Sequence, residues 1–195
     1  MQQAIEESVN EIFELYQKYG DEDYIGEPVS QVEHMCQAAQ LAEAEGYPEE
    51  VILAAFFHDI GHFCEHLMPV EQMDGFGVVD HEKLGADYLR SKGFSEEIAS
   101  LVQNHVQAKR YLTYHSPSFY GQLSEASKKT LEFQGGVMST EEAKLFEADK
   151  LFELHIKLRR WDEKAKIEKQ PMPLLQKYRE MAIRHLENSQ SFVKN

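Results

Sequence analysis

Nine histidines are spread over a chain of 195 residues, and what each can do depends on where it falls. His58 and Asp59 are adjacent inside VILAAFFHDIGHF, an apolar run in which a charged pair is costly unless something compensates it. His62 follows one turn later, on the face that carries His58. His34 lies in the first turn of one expected helix, His81 opens another, and His105 ends a third. Asp162 falls on the stripe Leu151, Leu154, His155, Leu158 and Trp161, which should face the core, so this acid also needs a partner. A lone helical histidine is ordinarily a packed or solvated residue, and His66, His115, His155 and His185 are read that way. The HD pair, with histidines at helix ends before and after it, is different. Imidazole and carboxylate ligands without thiolate suit iron, manganese or zinc. Four histidines and two aspartates exceed what one tetrahedral ion with an open position takes, and they match two metals bridged by one carboxylate.

These residues need helices to position them, and helical periodicity runs from end to end. Ile5, Val9, Ile12, Phe13 and Tyr16 mark one face of a helix over 4–18. The loop YGDEDYIGEPVS follows, and Ser30 with Glu33 forms a capping-box pattern opening a helix over 31–45. Gly46 and Pro48 separate that helix from one over 49–65, apolar almost all round and so expected to be buried. Further helices are expected over 81–92, 95–107 and 124–132. A second capping box, Ser139 with Glu142, opens a long helix over 140–166, and a last amphipathic helix covers 173–190 after Pro171 and Pro173. No convincing alternating strand is present. The expectation is an all-α fold forming one domain over 1–195.

Composition narrows the function classes. Lys and Arg total 20 against 34 Asp and Glu, a formal charge of −14, which argues against a nucleic-acid duplex or an acidic membrane as partner. A small anionic ligand stays open, because it responds to the field inside a pocket. No apolar run approaches the ~18 residues of a membrane-spanning helix. The acidic N-terminus lacks the order of a signal peptide, so a cytoplasmic protein is expected. Cys36 and Cys64 form no CxxC and read as free buried thiols in a reducing compartment.

The order His34, His58-Asp59, His81, His105, Asp162 resembles the HD-domain superfamily in its dinuclear form, over about residues 20–165. The resemblance implies a helical bundle with two metals between its helices, the metal-site core spanning about 24–165. By carry-over, His34, His58, Asp59 and Asp162 would hold one metal, and Asp59, His81 and His105 the other, with Asp59 the bridge. Most HD proteins are phosphohydrolases. Three local features point elsewhere: Tyr24-Ile25-Gly26-Glu27 before the first histidine, Arg159 with Asp162 in KLRRWDEKAK, and Lys109 with Ser127 of SEASKKT. Together they are similar to the mixed-valent di-iron HD oxygenases that cleave organophosphonates, the PhnZ type. That resemblance implies two iron ions, Fe(II) and Fe(III), and dioxygen as co-substrate. The substrate implied is 2-amino-1-hydroxyethylphosphonate, whose C–P bond is cleaved to give glycine and phosphate.

In that frame Tyr24, Glu27, His62, Lys109, Ser127 and Arg159 would bind substrate, with Tyr24 closing over the site as a gate and Glu27 pairing with the ammonium group. Two aspartates against an iron pair of charge +5 leave about +3 at the centre, which attracts a phosphonate despite the negative whole. Ser124 is an alternative to Ser127, and either suits a helix cap. Asp149 in FEADKLF resembles the closing aspartate of hydrolytic HD proteins, but Asp162, on its apolar stripe beside Arg159, is the better candidate. Competing readings are a metal-dependent HD phosphohydrolase and a noncatalytic helical module. A third keeps the chemistry but takes the trimethylammonium analogue, giving glycine betaine. A quaternary ammonium wants an aromatic cage, which Tyr24 alone does not make, so the amino substrate is preferred.

Overall fold

The computed structural model describes residues 2–24 and 26–192; Ile25, part of the Tyr24–Glu27 segment, lies outside them. The described residues form helices with no strand, and two isolated bridges, Asp23 with Ser30 and Gln72 with Val78, tie loops together. The helices are α1 (Gln2–Tyr19), α2 (Gln31–Ala44), α3 (Glu49–Phe57), a 3-10 segment (Ile60–His66), α4 (His81–Ser91), α5 (Glu96–His115), α6 (Pro117–Gln122), α7 (Glu125–Phe133), α8 (Thr140–Glu147), α9 (Phe152–Lys164) and α10 (Leu175–Phe192).

The all-α expectation holds, and both capping boxes read in the sequence form. Ser30 and Ser139 each cap a helix in a complete capping box with Glu33 and Glu142, satisfying amide groups that the first turn leaves without intrahelical partners. The five apolar positions of α1 are buried. α3 lies at the centre of the main core, its residues Val51–Phe57 all buried. α2, α5 and α9 pack around it, and α10 closes over α1 and α3. Tyr16 stacks on Phe56 at 4.6 Å, and Phe56 on Tyr178 of α10 at 4.3 Å.

Three boundaries depart from the sequence expectation. The helix over 49–65 stops at Phe57; His58 and Asp59 make a turn, and the chain continues as 3-10. The cause is close backbone contact with α4: a Cβ on Gly61 would sit 1.8 Å from the His81 carbonyl oxygen. Short 3-10 stretches commonly mark such functional turns. The helix over 95–107 runs on to His115, because Ala108, Tyr111 and Leu112 bury against Met138, Phe146 and Ile156 in a second apolar cluster. It ends where Pro117 opens the short α6, which was not expected. The long helix over 140–166 is two helices. Asp149 breaks it, its Oδ1 accepting the Leu151 amide at 2.7 Å while its carbonyl accepts from Phe152 at 3.0 Å.

Candidate metal centre and adjoining pocket

Four helices and one turn converge on a single buried cluster. His34 comes from α2, His58 from the residue ending α3, Asp59 from the turn beyond it, His81 from α4, His105 from α5 and Asp162 from α9. The His34 and His58 Nε2 atoms are 3.0 Å apart, and those of His81 and His105 are 3.2 Å apart. Asp59 lies between the two pairs. Its Oδ2 is 3.5 Å from His34 Nε2 and 3.3 Å from His58 Nε2, while Oδ1 is 3.4 Å from His81 Nε2 and 3.3 Å from His105 Nε2. Asp162 Oδ1 adds to the first pair, 3.4 Å from His34 Nε2 and 4.0 Å from His58 Nε2.

These separations suit ligands of a common ion. Two donors about 2.1 Å from one metal, at angles near the tetrahedral or octahedral value, lie roughly 3.0–3.4 Å apart. The ring tautomers agree. His34, His58, His81 and His105 each place Nδ1 against a backbone carbonyl, those of Ala165, Ala55, Val78 and Val102, at 2.8, 2.8, 3.3 and 2.7 Å. An Nδ1–H donating there leaves Nε2 with a free lone pair, the arrangement by which outer contacts fix metal-binding imidazoles. Two facing Nε2 atoms at such distances need a cation between them, a metal ion or, in the metal-free fold where the carboxylates lift His34 to about 9, a proton. Asp59 Oδ2 and Asp162 Oδ1 are buried without a hydrogen-bond partner, an unusual condition for carboxylate oxygens. Burial works to raise both carboxyls, yet His58, His105 and His34 hold Asp59 well below the carboxylate range, and Arg159 with His34 does the same for Asp162. The donor set of imidazole and carboxylate could therefore hold a metal, Asp59 offering one oxygen to each histidine pair.

A cavity of about 50 Å³ adjoins the cluster, and all six candidate substrate residues line it. Tyr24 stacks on the His34 ring at 4.0 Å. Gly26, at a φ of 75°, lets this loop run against α7, where a Cβ would lie 2.7 Å from that of Ala126. His62 stacks on His81 at 4.1 Å, and its Nδ1 accepts the Val78 amide at 3.2 Å. Burial and the neighbouring His81 push His62 down to about 3, so the ring is neutral with its hydrogen on Nε2. The glycine at 77 makes room for it, since a Cβ there would meet the ring at 2.6 Å.

The cationic wall is built from α5, α7 and α9. Lys109 is buried and donates to Thr130 Oγ1 at 2.7 Å and Gln134 Oε1 at 2.8 Å. Arg159 donates to Asp162 Oδ2 at 2.5 Å and Ser127 Oγ at 3.2 Å, and pairs with Glu163. Ser124 is the N-cap of α7, while Ser127 faces the pocket beside Arg159. Asp149, the alternative closing aspartate, faces His155 at 3.6 Å instead.

Sequence reasoning missed several pocket residues. Gln31, Thr130, Gln134 and Lys166 all line it. Gln31 is the residue after the Ser30 cap, and its Oε1 is buried without a partner. Lys166 reaches Glu27 at 2.8 Å across 139 positions of sequence. No local pattern announces either residue, and Lys166 is found only through its contact with Glu27.

An HD-domain family model matches residues 31–154 of the chain. A hydroxymethylphosphonate dioxygenase of Gimesia maris is 38% identical over 187 residues, 94% of this chain and 90% of the relative. The [1-hydroxy-2-(trimethylamino)ethyl]phosphonate dioxygenase (glycine-betaine-forming) of Leisingera caerulea is 42% identical over 152 residues, 78% of this chain and 76% of the relative. A protein of uncharacterized function from Acanthamoeba polyphaga mimivirus is 44% identical over 193 residues, 99% of this chain and 88% of the relative.

Proposed function

The chain belongs to the HD-domain family, and from that premise we propose that it is a dioxygenase cleaving the C–P bond of a 1-hydroxyphosphonate. The preferred substrate is 2-amino-1-hydroxyethylphosphonate. One dioxygen is consumed per turnover; the carbinol C–H and C–P bonds break, one oxygen atom enters the carboxylate of glycine and the other enters phosphate. The balance needs no external reductant. When bound, a mixed Fe(II)/Fe(III) pair held by His34, His58, Asp59, His81, His105 and Asp162 would supply the dioxygen activation.

The observation that carries the reading is the pairing of a buried imidazole–carboxylate cluster with a donor-lined wall. Lys109, Arg159, Ser127 and the Nε2–H of His62 surround one small cavity, where charged and neutral donors suit three phosphonate oxygens. Tyr24, stacked on His34, excludes water from the cluster and must shift or tilt to admit substrate, the gating expected of such lids. Glu27, at the far side of the loop, takes the ammonium group. Similarity to two relatives named as hydroxyphosphonate dioxygenases supports the reaction class.

The trimethylammonium analogue is the second reading, favoured by the Leisingera relative's name. Phe76 joins Tyr24 in lining the pocket, which gives a quaternary ammonium two aromatic neighbours. The deciding experiment is aerobic turnover of iron-loaded protein with both phosphonates and with hydroxymethylphosphonate. Carboxylate, phosphate and oxygen uptake are followed together. Equal yields of carboxylate and phosphate with oxygen consumed are expected. Phosphate release from simple esters without oxygen, supported by manganese or zinc, would return the chain to the hydrolases.

A further inference from the structure

Glu27, assigned above to the substrate's ammonium group, is already held by a cation of this chain. Lys166, just beyond α9, donates from Nζ to Glu27 Oε1 at 2.8 Å, and the Ser124 hydroxyl reaches the same oxygen at 2.5 Å. The two charged side chains are 14% and 9% exposed and both line the pocket. A second carboxylate oxygen, Glu163 Oε2, lies 3.5 Å from the same Nζ. The lysine stem is flexible and its ammonium is a compact point charge, so Lys166 has two anionic positions within reach.

We propose that Lys166 is the specificity-determining residue of the site, an internal cation that competes with a substrate ammonium for Glu27. The choice of ligands rests on the dioxygenase reading above. A 1-hydroxyphosphonate without an amino group leaves Lys166 on Glu27, and the carboxylate stays neutralised. A primary ammonium takes the place of Lys166, which moves onto Glu163, so no charge is left bare. A trimethylammonium group cannot donate a hydrogen bond and displaces Lys166 poorly. Without Lys166, an unpaired carboxylate would stand beside an anionic substrate and repel it.

The test is calorimetric binding to metal-loaded protein without oxygen, comparing 2-amino-1-hydroxyethylphosphonate with hydroxymethylphosphonate. Wild type should separate the two by less than about tenfold, because Glu27 is satisfied in either complex. K166M and K166Q should bind the amino compound more tightly and hydroxymethylphosphonate more weakly. Their affinity ratio should shift by roughly tenfold or more, the size of one charge-assisted hydrogen bond. K166R should stay near wild type. An unchanged ratio in the charge-free variants overturns the assignment, whether both affinities hold or both fall. A wild type preferring the amino compound by more than about a hundredfold also overturns it, and that arm needs no variant to fold. Failure of oxygen-dependent turnover with the ratio shift intact sinks the dioxygenase reading alone. A wild type that binds neither phosphonate sinks both.

Discussion

Lys109 stands between α5 and α7 with almost no water around it, and burial together with the nearby Arg159 pushes its ammonium well below the ordinary lysine range. A lysine whose folded pKa is depressed costs stability while it is charged. That cost is complete below the folded value and vanishes as pH rises towards the ordinary value of about 10.4. K109M should therefore melt higher than wild type at neutral pH, by an amount in the ordinary range of about 0.5–2 kcal/mol for substitutions that relieve a functional strain. The difference should shrink in thermal melts as pH approaches 10, while phosphonate affinity is lost at neutral pH. A K109M protein that melts lower throughout would mean that the bonds to Thr130 and Gln134 outweigh desolvation. The aspartates differ in kind from this lysine. Asp59 presents one oxygen to each histidine pair, whereas Asp162 approaches only His34 and His58. D59A should therefore strip metal from both pairs, and D162A should weaken one, a difference that metal analysis after gel filtration reads directly. Equal losses in the two variants would contradict a bridging Asp59.

At the scale of elements, α2 shows how a local cap serves a distant site. Ser30 caps the helix whose first turn carries His34, and the same loop sets Tyr24 on the His34 ring and Glu27 against the start of α7. S30A removes the side-chain half of the capping box and should cost about 1 kcal/mol. Metal affinity should fall with it, because fraying there releases His34 from the Ala165 carbonyl; a melt unchanged with metal affinity intact would count against this coupling. Caps of this kind are legible in sequence because three or four adjacent residues decide them, and Ser30–Glu33 and Ser139–Glu142 both are. The breaks after Phe57 and at Asp149 were not legible, because the apolar period continues through each of them. Gly61 yields the first break only because the His81 backbone presses on it, and that contact is tertiary. The His58-Asp59 pair was readable because it stands in an apolar run, while the other four residues of the cluster followed from places at helix ends, an apolar stripe and the family resemblance. Lys166 was not, being an ordinary charge in a polar stretch until the fold sets it against Glu27.

For the whole molecule, a metal held by the cluster would act as a fastener, since the donors come from α2, α4, α5, α9 and the turn ending α3. A ligand that binds only the folded chain stabilises it by mass action, about 2.7 kcal/mol at a hundredfold excess over Kd. For a chain of this length each kcal/mol moves Tm by roughly 2–4 °C, so removing metal with a chelator should lower Tm by about 5–10 °C. The size of that gap should depend on pH in a definite direction. In the metal-free fold, burial lowers His34, but the carboxylates of Asp162 and Asp59 outweigh it and lift the imidazole to about 9. A histidine raised in this way stabilises the metal-free fold fully below its ordinary value near 6.5, and the contribution is lost as pH rises through about 9. Metal needs the same ring unprotonated. Acid therefore strengthens the empty cluster and weakens metal binding together, while alkali does the reverse. Melts with and without chelator at about pH 6, 7.5 and 9 should show the gap widening with each step. A gap that is constant or narrows with pH would mean that protons and metal do not compete for these imidazoles, and the cluster would then be no metal centre.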